Sequence, residues 1–363
     1  MRSASANAPG RVELLGNHTD YNQGVVLAAA IDRGITANGT SRDDDRITLA
    51  SDFAPGRVEV AVSGFTAQTK QRWANYPLGV VQQFQRLGHA VCGFDAAISG
   101  DVPAGAGVSS SAALEVATAG LLMKLNDLHL APLEVAKLCQ RAENEFVGVR
   151  SGLLDQATSV FGRADHVVYM DFQTEEIRTI PFPTGFALVI VESGVKHSLL
   201  TSQYNARREE CAAAAKALGV ASLREVTPAT LEQARDSLDP LLYRRASHIV
   251  GENDRVWRAL AAMPTSDAVA IGALMNASHE SSRVSFENST PELDLLVSIA
   301  QSLPGVLGSR LTGGGFGGGT VTLVATNRAT GVLEQIAETY CARTGHNPAG
   351  FVCRIADGAA VNW

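Results

Sequence analysis

None of the five cysteines (Cys92, Cys139, Cys211, Cys341 and Cys353) stands at metal-ligand spacing from another. An odd, scattered set in a chain of 363 residues fits reduced, buried thiols and excludes a disulfide scaffold. Long apolar runs are missing too. The longest, Gly24–Ile31 and Phe186–Val191, fall far short of the roughly 20 residues needed to span a bilayer. The opening Met-Arg-Ser-Ala-Ser-Ala-Asn has no apolar stretch of the kind a signal peptide needs. There is no excess of basic charge: 30 Lys and Arg against 37 Asp and Glu leave a net −7. That excludes a general affinity for nucleic acid or anionic membrane, while leaving room for a local cationic pocket. Internal repeats and low-complexity linkers are absent as well. The expectation is a cytoplasmic monomer.

What is present is an ordinary globular composition, 45% hydrophobic and 18% charged, with length for two domains. Alternating apolar patterns predict strands at Arg11–Leu15, Val25–Ile31, Arg46–Ala50, Val58–Val62 and Cys92–Gly100. A helix is expected over Trp73–Leu87, amphipathic helices over Leu114–Leu125 and Leu133–Val147, and a shorter one over Leu154–Phe161. Strands at Val167–Asp171 and Thr179–Pro181 close the first half. Phe186–Glu192 reads as a buried strand opening a second domain, followed by mostly helical chain from Ser202 to Leu303. Strands at Val306–Leu311 and Thr320–Ala325, a helix at Val332–Thr344 and a strand near Phe351–Ile355 complete the chain. Without regular βαβ alternation the class is α+β rather than a doubly wound parallel sheet. The boundary falls near residue 182.

The sharpest motif is Asp101-Val-Pro-Ala-Gly-Ala-Gly-Val-Ser-Ser-Ser-Ala-Ala-Leu-Glu115, where a strand ends and a helix starts at the serines. Small side chains let backbone approach an anion, and the first amides of the helix are unpaired at its positive end. One serine would suffice as a helix cap; Ser109, Ser110 and Ser111 together suggest donors to phosphate or metal. The loop has no Walker lysine, and the chain has no protein-kinase signature. A second cluster, Thr312-Gly-Gly-Gly-Phe-Gly-Gly-Gly319, contains G-x-G-x-x-G but leads into a strand, so the dinucleotide-binding reading fails. Its glycines point to close approach of backbone to a ligand.

Between two apolar strands lie Asn17, His18 and Asp20, whose amide, imidazole and carboxylate suit a ring of hydroxyls; a polar hairpin loop is the plain alternative. Glu143 falls on or beside the apolar stripe of its helix, as a metal ligand or a solvated edge residue. Asp155, in the first turn of the next helix, is either a dipole-stabilised acid or a carboxylate facing a substrate hydroxyl, with Arg11 as counter-charge.

Ala8-Pro-Gly-Arg-Val-Glu-Leu-Leu-Gly-Asn-His-Thr-Asp-Tyr-Asn-Gln-Gly24 resembles the opening motif of galactokinases, and the serine loop and Gly313–Gly319 resemble that family's second and third motifs. The likeness extends over nearly the whole chain, through Arg72-Trp-Ala-Asn-Tyr76, Val195-Lys-His-Ser198 and Pro291-Glu-Leu-Asp294. It implies the two-domain fold of the GHMP small-molecule kinases. Residues 1–182 would form a mixed-sheet domain with the phosphate-loop helix and 183–363 a ferredoxin-like α+β domain, with ATP and sugar in the cleft between them. By motif, Asp155 and Arg11 would meet the anomeric hydroxyl, and Asn17, His18, Asp20, Gly152 and Tyr204 would bind the sugar. Gly105, Ala106, Gly107, Val108, Ser109, Ser110 and Ser111 would cradle the phosphates, with Lys196 near the nucleotide and Trp73 and Tyr76 flanking adenine. Ser111 and Glu143 would hold Mg²⁺. The implied reaction is transfer from ATP to D-galactose; the rival from another class is a non-catalytic galactokinase-like sugar sensor, disfavoured because Ser109–Ala113, Arg11 and Asp155 are all present. The family usually has Glu where this chain has Asn17, which keeps a uronic acid, an amino sugar or L-arabinose open as the acceptor. Leu154 stands for a usual Met, and with ten residues before Arg11 an N-terminal segment common in relatives is expected to be missing.

Overall fold

The computed structural model describes residues 1–103, 105–149, 151–194 and 200–360. The first half builds a seven-stranded sheet from β1 (Ser3–Leu15), β2 (Val25–Arg42), β3 (Arg46–Ser51), β4 (Arg57–Ala61), and further strands interleaved with helices. These follow as α1 (Asn75–Arg86), β5 (Gly93–Gly100), α2 (Ser110–Asn126), α3 (Pro132–Ala142), α4 (Leu154–Phe161), β6 (His166–Asp171) and β7 (Glu176–Pro181). The order is β4-β3-β5-β2-β6-β7 with β1 against β2; β3 and β5 run parallel and the other pairs antiparallel, so the sheet is mixed. β2 is long because it serves two partners in turn: its first residues pair with β6 and its last with β5.

The second half runs β8 (Phe186–Glu192), α5 (Leu200–Ala217), α6 (Pro228–Gln233), α7 (Pro240–Ala262), α8 (Ala268–Ser281) and α9 (Pro291–Gln301). It then continues through β9 (Val306–Thr312), β10 (Gly319–Ala325), α10 (Ala329–Thr344) and β11 (Gly350–Cys353). Its antiparallel sheet has the order β11-β8-β10-β9, the ferredoxin-like arrangement. Helix starts follow local chemistry. Pro132 opens α3, where Glu134 reaches back to the Ala131 amide; Pro240 opens α7 behind Asp239, which caps two amides.

Two expectations about helices are corrected. α2 is buried from Ala112 to Met123 on every face instead of being amphipathic. Small residues such as Ala113, Ala117 and Gly120 let β1, β2, α1, α3 and α4 all close on it. The helix expected to continue to Val147 ends as α-helix at Ala142, and Glu143–Val147 widens into a π turn closed by Gly148 at φ 87°.

One apolar core lies between the large sheet and α1–α4, including Val26, Phe84, Phe94 and Leu138. A second crosses from one sheet to the other, joining Val12, Leu14 and Leu27 to Leu188, Val321 and Met275. The C-terminal residues return to the first sheet: Ile355 bridges Ile31, and the Ala360 amide donates to the Asn7 carbonyl. Among the described residues no helix is long and apolar enough to cross a membrane.

Candidate active site

The loops after β1, before α4 and between β9 and β10 converge around a cavity of about 680 Å³. Arg11, Glu13, Asn17, His18, Asp20, Gly152, Asp155, Tyr204 and Gly313–Phe316 line it. At one end sits Asp155 in the first turn of α4. Arg11 Nε donates to its Oδ1 at 2.8 Å, and Arg11 Nη2 lies 2.6 Å from the same oxygen. Ser109 Oγ donates to Oδ2 at 2.5 Å. Arg11 also donates from Nη1 to the Gly107 carbonyl at 2.5 Å, tying the serine loop to the same carboxylate.

Ser109 is therefore no ordinary cap. It precedes α2 with φ 54° and makes no capping bond, so its hydroxyl is free for Asp155. The first backbone bond of α2 runs from the Ala113 amide to the Ser109 carbonyl, which leaves the amides of Ser110, Ser111 and Ala112 ahead of the ladder. Gly105 and Gly107 adopt φ 94° and 74°, a region open to glycine at little cost, and Ala106 and Val108 are buried beneath the loop.

Behind Asp155 lies a carboxylate pair. Glu143 is buried, not a solvated edge residue, and accepts from the Ser151 hydroxyl, from Gln156 Nε2 at 3.0 Å and from Ser111. Gln156 Nε2 also donates to Glu115 Oε2 at 2.9 Å, while Glu115 Oε1 is buried without a partner among the described residues. Burial pushes both carboxyls above their usual range; Asp155 adds to this for Glu143, and Glu143 for Glu115. Tyr76 is near enough to feel both, its hydroxyl pushed up to about 12 by burial and then by Glu143 and Glu115. Trp73, half-buried, donates to Gln71 and meets Phe53 edge-on.

At the other end, the Gly16–Asp20 turn is pinned from outside. Glu252 of α7 accepts the amides of Gly16 and Asn17 through Oε2, both at 2.8 Å, and pairs with Arg255 through Oε1. Burial opposes ionisation of Glu252, but Arg255 and the other donors win and hold it well below the ordinary carboxylate range. His18, at φ 62°, joins its Nδ1 to Tyr21 at 2.8 Å and its Nε2 to the Gly314 carbonyl at 2.9 Å. Burial lowers its pKa to about 4. Asp20 is raised to about 6, chiefly by burial. It touches Gly152, where an added Cβ would sit 2.2 Å from Asp20 Oδ2. Tyr204 of α5 packs its ring 5.0 Å from that of His18.

Asn17, expected to bind the sugar, lines the cavity and is also bonded to protein. Its Nδ2 donates to Glu13 Oε1 at 3.0 Å and to the Gly313 carbonyl at 2.7 Å; its Oδ1 accepts from Asn288 at 2.9 Å. Both its amide hydrogens help to hold the site together, while Oδ1 keeps a second lone pair.

The glycine-rich segment does two jobs. Gly313, Gly315, Gly317, Gly318 and Phe316 all have positive φ, and a Cβ on Gly315 would fall 2.2 Å from the Asn288 carbonyl. Its carbonyls receive Asn17, His18 and Asn288, and it lies against Gly107 and Ala106 of the serine loop. Gly313–Phe316 also wall the cavity. Lys196 lies outside the described residues. Sequence reading passed over Glu13, Arg72, Glu115, Gln156 and Glu252; a Glu amid the apolar residues of β1 or α2 was the available signal for Glu13 and Glu115.

The chain matches the models of the GHMP kinases N terminal domain over residues 75–163, the galactokinase galactose-binding signature over 2–40 and the GHMP kinases C terminal over 259–341. A galactokinase of Roseiflexus sp. (strain RS-1) is 42% identical over 363 residues, spanning 97% of this chain and 91% of that protein. One from Glaesserella parasuis serovar 5 (strain SH0165) is 40% identical over 359 residues, spanning 98% and 94%. Among solved structures, Lactococcus lactis galactokinase complexed with galactose superposes with a TM-score of 0.92 at 32% identity, over 99% of this chain and 95% of that one. A mevalonate kinase at 18% identity and a TM-score of 0.72 shares the fold.

Proposed function

The chain belongs to the galactokinase family of GHMP kinases, and from that premise we propose that it transfers the γ-phosphoryl group of ATP to the anomeric hydroxyl of D-galactose, giving galactose 1-phosphate and ADP. The observation that carries this is the clamp on Asp155. One carboxylate is held by Arg11 from the sugar side and by Ser109 from the serine loop, so the loop that suits phosphate and the cavity that suits a sugar meet at one group. Residues 1–182 and 183–363 are proposed as the two domains, since the chain leaves one sheet at Pro181 and enters the other at Phe186.

Phosphoryl transfer asks for alignment and charge neutralisation more than for covalent chemistry. The unpaired amides of Ser110–Ala112 at the positive end of α2 would receive phosphate oxygens. Asp155 would accept the proton of the attacking hydroxyl, and Arg11 would keep it oriented and offset charge at the reacting oxygens. Asp20, His18 and Tyr204 would hold the sugar; Trp73 and Tyr76 would flank adenine. The Ser111 hydroxyl and the Glu143 carboxylate, already in contact, are the hard oxygen donors that Mg²⁺ prefers, and they would hold it. When bound, the ion would supply neutralisation of the phosphate charge.

The test is a coupled ADP-release assay with ATP, Mg²⁺ and D-galactose on the native chain and on Asp155→Ala. Turnover with galactose, and a fall of about a thousandfold or more in kcat for the variant while sugar binding survives, is the expected result. Undiminished turnover without Asp155 would remove it from the chemistry.

A further inference from the structure

Asn17 and Glu13 stand side by side at the end of the cavity away from Asp155, yet they are in opposite states. Every polar group of Asn17 is engaged by protein. Besides the three side-chain bonds, its amide N–H goes to Glu252 and its carbonyl accepts from His248 at 3.2 Å. The acceptors around Nδ2 and the donor at Oδ1 fix the amide's orientation; both its hydrogens are committed to protein, and only the second lone pair of a neutral Oδ1 is left for a ligand hydrogen.

Glu13 is the reverse. Its Oε1 accepts from Asn17 and, at 3.1 Å, from Arg310 Nη1. Its Oε2 accepts no hydrogen bond among the described residues, yet it is not one of the buried atoms left without a partner. Glu13 lines the cavity, so Oε2 opens on it. An anionic oxygen fixed at a cavity wall by two donors on its twin is a preorganised acceptor for a ligand hydroxyl. Arg310 is wholly buried, and Glu13 is its one carboxylate partner among the described residues, which keeps the acid in place.

Register adds a distance. Arg11 and Glu13 are two residues apart in the regular stretch of β1 that pairs with Ala30 and Ala28 of β2, so they share a face about 7 Å apart along the strand. Arg11 fixes Asp155 at the acceptor-hydroxyl end. The separation is about that of opposite ends of one pyranose ring with its substituents.

We propose that Glu13, rather than Asn17, is the carboxylate that grips an outer hydroxyl of the sugar, and that it sets which sugar the site accepts. This rests on the sugar-kinase reading above. It also means that an acceptor bearing its own carboxylate at that end meets a like charge and is rejected, even though position 17 is a neutral amide.

The test compares the native chain with Glu13→Gln on D-galactose, its 2-, 3-, 4- and 6-deoxy analogues and D-galacturonate, reading KM and kcat with ATP saturating. The native chain should disfavour galacturonate. The variant should raise KM for galactose roughly 10- to 100-fold, with the loss falling on KM more than on kcat, as for a hydrogen bond to a charged group. That rise should vanish for the one analogue lacking the partner hydroxyl, and the bias against galacturonate should shrink. A purely structural role for Glu13 would shift all analogues alike, and that result would overturn the proposal. Should the Gln variant not fold, Glu13→Asp keeps the charge on Arg310 and must show the same analogue dependence through its shortened reach. If the native chain does not phosphorylate galactose, the kinase reading falls and Glu13 with it. If it does, and the effect is uniform across analogues, Glu13 alone falls.

Discussion

At the scale of single residues, the site works by committing side chains to one another before any ligand arrives. Asp155 has both oxygens occupied, by Arg11 on one and Ser109 on the other. Ser109 reaches it only because its backbone takes a left-handed conformation that carries the hydroxyl away from the helix it precedes. Ser109→Ala should therefore lower kcat by about tenfold or somewhat more, the worth of one hydrogen bond to a charged group, with far-UV circular dichroism unchanged. An unchanged kcat would make that contact incidental. The serine run stood out in the sequence as a helix start, but the separate contacts of its members did not. Three adjacent serines look alike in sequence, whereas in space one turns to Asp155 and another to Glu143.

At the scale of elements, α7 matters to the sugar loop although it contributes nothing to the cavity wall. Glu252 grips two consecutive amides of the Gly16–Asp20 turn, His248 holds the Asn17 carbonyl, and Asn253 accepts the Val25 amide where β2 begins. The helix thus fixes the turn from beneath while His18 and Asp20 are presented above. Glu252→Gln removes a wholly buried negative charge from its pair with the partly exposed Arg255 and should cost about 3 kcal/mol of stability. It should also raise KM for the sugar, measured by thermal melting alongside steady-state kinetics. Full stability would show that the amides need no ionised acceptor. Helix positions were readable from apolar spacing. The burial of α2 on all faces and the π turn at Glu143 were not, since each depends on how many neighbours pack against a segment rather than on its own period.

At the scale of the molecule, buried titratable groups around the site couple stability to pH in both directions. His18 and His248 have pKa values lowered to about 4 and about 3, in both cases mainly by burial, so the fold holds them neutral while the unfolded chain protonates them below about 6.5. Each contributes stability above that value and loses it as the pH falls towards 4. Asp20, raised to about 6 by burial, acts in the opposite sense: its proton is held by the folded chain between about 4 and 6, so acidification there returns stability. Glu13, Glu115 and Glu143, also raised by burial, act in the same sense as Asp20. Stability in acid is thus a balance of these carboxyls against the histidines, and Asp20→Asn should make the melting temperature fall more, or rise less, between pH 6 and pH 4 than in the native chain. An identical pH profile in thermal melts of the two proteins would contradict the raised Asp20 carboxyl.

The apolar periods are local properties and were enough to read the α+β class from the chain alone, while the kinship with galactokinases was carried by the likeness of three ordered motifs. Which polar groups remain available to a ligand is a different kind of fact. Asn17 is occupied and Glu13 retains an open oxygen because Asn288, Gly313 and Arg310, nearly 300 residues away in the chain, arrive beside them. Only the packing of one sheet against the other brings those partners in. A hydrogen-bonding group is spent or free according to neighbours that its own stretch of sequence does not contain.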